Sequence, residues 1–245
     1  MSEVPRSEQN SSFREIERAF GKLFFGSASV ERGLDATLTE DEKSDAEASL
    51  QLALENPGIR KAVETARKTG WNLILRVPYL DQSRAITAAV LAEKLPEGLQ
   101  HPEFDRKNPL TTEEIGSLSW HLVSGDILPG SGRQTFGEQN ASLASVAAAL
   151  GIAPSQVRIR SAVEATYDSL VTNHDAPGAR DERTRTKLGK DTTSVVVVRH
   201  GASPSGEEYF SATDPQSQIE QLEYPDLQAA GIFATVDLNP EGWNA

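Results

Sequence analysis

Phe13, Ile16, Phe20, Leu23 and Phe24 recur at intervals that put them on one side of a helix, which predicts an amphipathic helix opening the folded part of the chain. Ser12 and Glu15 have capping-box spacing at its start, and the polar residues 1–11 before them read as a flexible N-terminal arm. Thr39 and Glu42 repeat the start signal, for a helix over 40–55. Pro57 suits the first turn of the next helix and Gly70 its C-terminal cap, giving a second helix over 57–69. In WNLILRVPY (71–79) the period changes to two. Leu73, Leu75 and Val77 alternate with Asn72, Ile74 and Arg76, a strand stopped by Pro78.

Beyond this strand, Asp81 is a candidate cap for a helix through Leu95, with Ile86, Val90 and Leu91 on its apolar side. Residues 96–110 hold Pro96, Gly98, Pro102 and Pro109 and read as a loop. Thr111 and Glu114 predict a further helix carrying Ile115, Leu118 and Leu122, ended by GDILPGSGR (125–133). A helical hairpin follows over 138–171. Residues 172–192 have no apolar period and read as an exposed linker. TSVVVVR (193–199), EEYFSA (207–212) and IFATVDL (232–238) predict strands, with HGASPSG as a long hairpin loop and a short helix over 216–222.

The fold class is therefore α+β: a mainly helical body, about 1–171, with a small β-rich C-terminal segment. The expected divisions are an arm (1–11), a helical subdomain with one strand (12–110), a helical region with the hairpin (111–171), a basic linker (172–192) and a β-rich acidic segment (193–245).

Composition narrows the function classes. The 245 residues contain no cysteine, which excludes disulfides, thiolate metal sites and a cysteine nucleophile, and fits a cytoplasmic protein. No apolar run reaches the roughly 20 residues of a membrane-spanning helix, so no membrane partner is expected. Net charge is −12, which argues against a uniformly DNA-binding surface. The charge is uneven, however. Residues 1–56 hold twelve acids and six bases, and from Gly201 onward there are eight acids and no Lys or Arg. Residues 153–190 hold seven bases against five acids, so the middle of the chain is mildly basic.

One stretch has a recognisable spacing: SLASVAAALGIAPSQVRIRSAV (142–163). Ala147 precedes Gly151 by four residues, Val146, Leu150, Ile152 and Val157 take flanking apolar positions, and Pro154 suits a helix's first turn. Over these residues the chain resembles the helix-turn-helix module of bacterial DNA-binding proteins. That resemblance implies a second helix in the major groove of double-stranded DNA, with Ser155, Gln156, Arg158 and Arg160 toward the bases. Arg180, Arg183, Arg185, Lys187 and Lys190 of the linker would then track phosphates. Arg160 departs from the pattern, standing where the family places an apolar core residue.

VVVVRHGAS (195–203) is similar to the Arg-His-Gly signature of histidine phosphatases, which would make Arg199 a phosphate ligand and His200 the nucleophile. Only 45 residues follow His200, with no second His and no Lys or Arg to complete a phosphate pocket, so a polar loop is the expectation. Four scattered histidines show no metal-binding spacing, and GDILPGSGR lacks the Lys-Ser/Thr ending of a phosphate-binding loop. No cofactor and no catalytic residue is expected. Two functions follow: a non-enzymatic DNA-associated protein using the hairpin and basic linker, or a structural or adaptor subunit of a larger assembly such as a phage particle or secretion machine. In the latter the hairpin is a packing unit, the acidic tail meets a basic protein partner, and the chain is free to form a homo-oligomer.

Overall fold

The structure is a computed structural model. It describes residues 6–81, 83–94, 114–126, 128–129, 131, 136–173, 182–187, 195–202, 208–213, 231–232, 234–239 and 243. Seven helices are present among these: α1 (Arg6–Phe20), α2 (Ser27–Leu34), α3 (Glu40–Glu55), α4 (Pro57–Lys68), α5 (Ala88–Ala92), α6 (Phe136–Leu150) and α7 (Ala162–Asn173). Nine strands accompany them: β1 (Phe24–Phe25), β2 (Asn72–Arg76), β3 (Ser119–Val123), β4 (Val157–Ile159), β5 (Glu182–Lys187), β6 (Val195–Ala202), β7 (Glu208–Thr213), β8 (Gly231–Ile232) and β9 (Ala234–Asp237). The α+β class holds. No helix among the described residues is long and apolar enough to cross a membrane.

Local signals fix several of these elements. Thr39 Oγ1 accepts from the Glu42 N–H while the Glu42 carboxylate accepts from the Thr39 N–H, so α3 begins with a complete capping box. Asn56 Oδ1 accepts from Gly58 and Ile59 N–H and starts α4, with Pro57 in the first turn. That helix closes where the Trp71 N–H reaches back to the Ala66 carbonyl across Gly70.

A five-stranded sheet, in the order β1-β2-β3-β9-β4, holds the core together. Only β1 and β2 pair in parallel; the other neighbours are antiparallel. Strand residues alternate between faces, so the register puts Leu73, Leu75, Trp120, Leu122, Ala234, Val236, Val157 and Ile159 on one face. This face is apolar and buried. Trp120 packs edge-on to Phe13 and tilted against Phe24, and its indole N–H donates to the Ala46 carbonyl of α3 at 2.8 Å. The opposite face combines the polar Arg76, Ser119, His121, Thr235, Arg158 and Asp237 with the buried Ile74 and Val123. The helix α7 lies against α2, where a Cβ on Gly33 would come within 2.7 Å of the Leu170 carbonyl oxygen; only glycine fits that approach.

The structure corrects several expectations. The first helix begins at Arg6, inside the expected arm, and ends at Phe20 because Gly21 takes a left-handed φ of 55°. Leu23 therefore lies in a 3-10 turn and Phe24 in β1, off the expected helix face. Asp81 caps no helix. Its carboxylate accepts from Ser83 and Arg84 N–H and closes a turn, and the short α5 is capped by Thr87 instead. Residues 119–123 are strand, not helix: the alternation of Trp120 and Leu122 with His121 and Val123 pairs along β2, burying Trp120, His121, Leu122 and Val123. The loop expected over 96–110, the start signal at Thr111 and the helix over 216–222 lie outside the described residues.

The hairpin is half as expected. Its first helix is α6, and Gly151 closes it at φ 74°, with the Ile152 N–H returning to the Ala147 carbonyl. The second helix, expected from Pro154 onward, begins only at Ala162: Pro154–Gln156 is a 3-10 turn, followed by strand β4 along β9. Val157 and Ile159 alternate with Arg158 and Arg160, a period of two that seats both apolar side chains on the buried face of the sheet. The linker also contains structure: 182–187 form β5, since Thr184 and Thr186 favour an extended chain and the valine run of β6 offers a partner. His200, Gly201 and Ala202 continue β6 rather than opening a loop. The last expected strand is split. Gly231–Ile232 joins the four-stranded sheet β7-β6-β5-β8, and Ala234–Asp237 returns to the central sheet between β3 and β4.

Candidate functional site

The residues expected to read DNA are mostly engaged by the chain itself. Ser155 is exposed, but Gln156 Oε1 accepts from the Ala153 N–H at 2.9 Å and fixes the 3-10 turn. Arg158 donates to both oxygens of Glu164 at 2.5 Å, and Arg160 is buried with its guanidinium 3.5 Å from Asp168. Arg180 and Lys190 lie outside the described residues, while Arg183, Arg185 and Lys187 fall on β5.

Arg158 and Arg160 belong to a buried ionic network. At its centre is Arg76, 1% exposed at the end of β2. Its Nε and Nη2 donate to the two oxygens of Asp168 at 2.9 and 2.7 Å, and its Nη1 donates to Glu164 at 2.5 Å. Glu164 also accepts from the Ser161 N–H at 2.7 Å, so the carboxylate that caps α7 holds two arginines as well. Burial pushes the Glu164 carboxyl upward, but Arg76 and Arg158 outweigh it and hold it far below the usual carboxylate range. Burial likewise disfavours the charged Arg76, and Asp168 and Glu164 more than restore it. Tyr167, raised chiefly by burial, stays protonated; its hydroxyl donates to the Leu75 carbonyl and accepts from the Val77 N–H.

His121 borders this network on the polar face. Its Nε2 lies 2.8 Å from Ser119 Oγ, and its Nδ1 is buried with no hydrogen-bond partner among the described residues. Burial first, and the nearby Arg76 second, lower its pKa well below 6.5, so the ring is neutral at pH 7. Thr235 Oγ1, on the same face, is also buried without a partner among the described residues. Among those residues no group of three or more His, Asp or Glu is arranged to hold a metal ion.

Two surfaces remain. A cleft of about 450 Å³ between α1, α2 and α3 is lined by Arg14, Arg32 and Lys43 but also by Glu17 and Glu47. Lys43 pairs with Glu31 at 3.1 Å and Glu40 at 3.3 Å, so the cleft has little net preference for either sign of charge. The other candidate is one face of the four-stranded sheet, placed by strand register alone. Arg183, Arg185 and Lys187 take alternate positions of β5 and so share one face. Arg199 of β6 is the direct register partner of Arg183 and adds a fourth cationic position to that face. The opposite face carries Val196, Val198, Phe210 and Ala212.

Sequence reasoning missed Arg76, Glu164, Asp168 and His121. One signal was available: Ser161 and Glu164 have capping-box spacing, which starts α7 at Ala162 and leaves 157–160 outside any helix. Comparison with protein-family models, with curated proteins and with solved structures finds no match for this chain.

Proposed function

We propose that the protein is a non-enzymatic, nucleic-acid-associated protein whose contact surface is the basic face of β5 and β6 rather than the hairpin. The observation that carries this reading is the register: Arg183, Arg185, Lys187 and Arg199 share one face, in a chain whose net charge is −12. Like charges directly opposite in a ladder repel, so the Arg183–Arg199 pair is relieved by an anion bound across it. A nucleic acid supplies a row of such anions and releases its counterions on binding. Against the hairpin as reader stands the engagement of Gln156, Arg158 and Arg160 by the chain's own groups.

Fluorescence anisotropy of labelled DNA, titrated with the full chain between 50 and 200 mM salt, tests this reading. Four phosphate contacts give a log–log salt slope of about −3.6 on duplex DNA and about −2.8 on a single strand. Arg183→Glu with Arg185→Glu abolishes binding, and Ser155→Ala leaves it unchanged. Loss on Ser155→Ala with a normal response from the β5 variant returns the function to the hairpin.

A second reading, a subunit of a larger assembly, is favoured by the outer face of α3. Leu52 is 57% exposed there, next to Ala48 and among the exposed Asp41, Asp45 and Glu55. Self-association through that face predicts an oligomer by light scattering that Leu52→Glu dissociates. A monomer at all concentrations excludes self-assembly through α3.

A further inference from the structure

The nucleic-acid reading makes no use of His121, a titratable ring buried in the middle of β3. The sheet register sets its neighbours. Ile74 of β2 and Asp237 of β9 are its direct partners, with Arg76 and Thr235 diagonal to it on the same face. Arg158 of β4 pairs with Thr235 and shares that face. From α7 come Glu164 and Asp168, bonded to Arg76, with Arg160 against Asp168. On its own strand, Ser119 Oγ lies 2.8 Å from the ring Nε2.

The carboxylates around this ring are already committed. Glu164 Oε1 accepts from Arg76 and Arg158, and its Oε2 accepts from Arg158 and the Ser161 N–H, which uses all its lone pairs. Asp168 is held by Arg76 and Arg160. Asp237 is exposed and accepts from the Asn239 N–H at 2.9 Å, so water screens it. An imidazolium needs two acceptors, and the Nδ1 side has none among the described residues. A charged ring therefore takes Glu164 from the arginines or opens to water, and both require α7 to move. We propose that His121 is an acid-operated latch on α7: protonation of its ring breaks the Arg76–Glu164–Arg158 bridge and lifts the helix from this face, while the apolar face of the sheet stays packed. Burial and then Arg76 hold the closed ring neutral, with Glu164 opposing and Arg158 adding to them. The released form takes up the proton instead, so the open fraction rises about tenfold per pH unit below 6.5. All strands of the second sheet lie between α7 and β9 in the chain, so α7 is one of the two connections joining that sheet to the core. Its release loosens that connection whatever ligand the sheet takes.

The test is amide hydrogen exchange of the full chain at pH 7.5, 6.5 and 5.5, with rates corrected for the pH dependence of free-peptide exchange. Protection of 162–173 is the same at pH 7.5 and 6.5 and falls about tenfold at pH 5.5. Protection of α3 and α4, over 40–55 and 57–68, is unchanged across the series. His121→Gln, neutral at every pH, removes the loss in 162–173. The wild-type comparison needs no variant, so a folding defect in His121→Gln does not blunt the test. Constant protection of 162–173, or an equal loss in α3 and α4, overturns the latch. So does a loss in 162–173 that persists in folded His121→Gln.

Discussion

Arg76 and Asp168, 92 residues apart in the chain, meet through two parallel hydrogen bonds of 2.9 and 2.7 Å inside the protein. This pair ties the end of β2 to the middle of α7, and Glu164 extends it to Arg158 on β4. A buried ion pair adds little stability by itself, because desolvation offsets the attraction, but leaving one partner alone is costly. The network therefore fixes where α7 and β4 sit rather than how tightly the core holds. Arg76→Met leaves Asp168 without its bidentate partner and should destabilise by about 3–5 kcal/mol, a loss of roughly 10 °C in Tm for a chain of this size. Thermal unfolding by circular dichroism checks it. A shift of about 1 °C would mean that water reaches the pair.

Stability should fall on acidification in two stages. His121 stays neutral in the fold well below its ordinary 6.5, mainly through burial, whereas the unfolded chain takes up a proton there. The unfolded state then binds more protons, so stability drops as pH falls below about 6.5. Glu164 is held far below its ordinary 4.5 by Arg76 and Arg158 against the opposing pull of burial. Its contribution is present above about pH 4.5 and is lost as pH falls below that. Tm measured from pH 8 to pH 3 should decline first below 6.5 and again below 4.5. His121→Gln removes the first decline only. A wild-type Tm that rises between pH 7 and pH 5.5 contradicts the buried neutral ring.

If the hairpin is a packing unit, its substitutions act on stability and not on ligand. Gly151→Ala forces a Cβ into a left-handed backbone at φ 74° and should cost about 1–2 kcal/mol. Removing the Gln156 side chain, whose Oε1 accepts from the Ala153 N–H, should cost about 1 kcal/mol. Chemical denaturation reads both losses, and DNA titrations of the same variants should match wild type. Reduced DNA affinity with unchanged stability would restore the hairpin as a reader.

Much of the local structure is legible in the sequence where a backbone signal is unambiguous. Thr39 with Glu42 and Pro57 mark helix starts, and Gly70 a helix end, that the structure keeps. Legibility fails where two periods fit the same residues. Ile115, Leu118 and Leu122 match a helix, yet 119–123 pair as β3, because the decisive partner is β2, more than forty residues earlier. In Val157–Arg158–Ile159–Arg160 the alternation was visible, but the preceding proline and glycine spacing suggested a helix. The candidate surface shows the same limit. The charges of 180–190 are plain in the sequence, whereas their alignment with Arg199 depends on pairing between β5 and β6. The Arg76–Asp168 contact, with its long sequence separation, leaves no local trace at all.

Amide hydrogen exchange of the full chain, with and without a saturating 20-nucleotide oligo(dT), locates the surface that meets nucleic acid. New protection is expected in 182–187, 195–202 and 208–213, with exchange over 151–160 unchanged. Protection confined to 151–160 would contradict it and make the hairpin, not the sheet, the surface that meets nucleic acid.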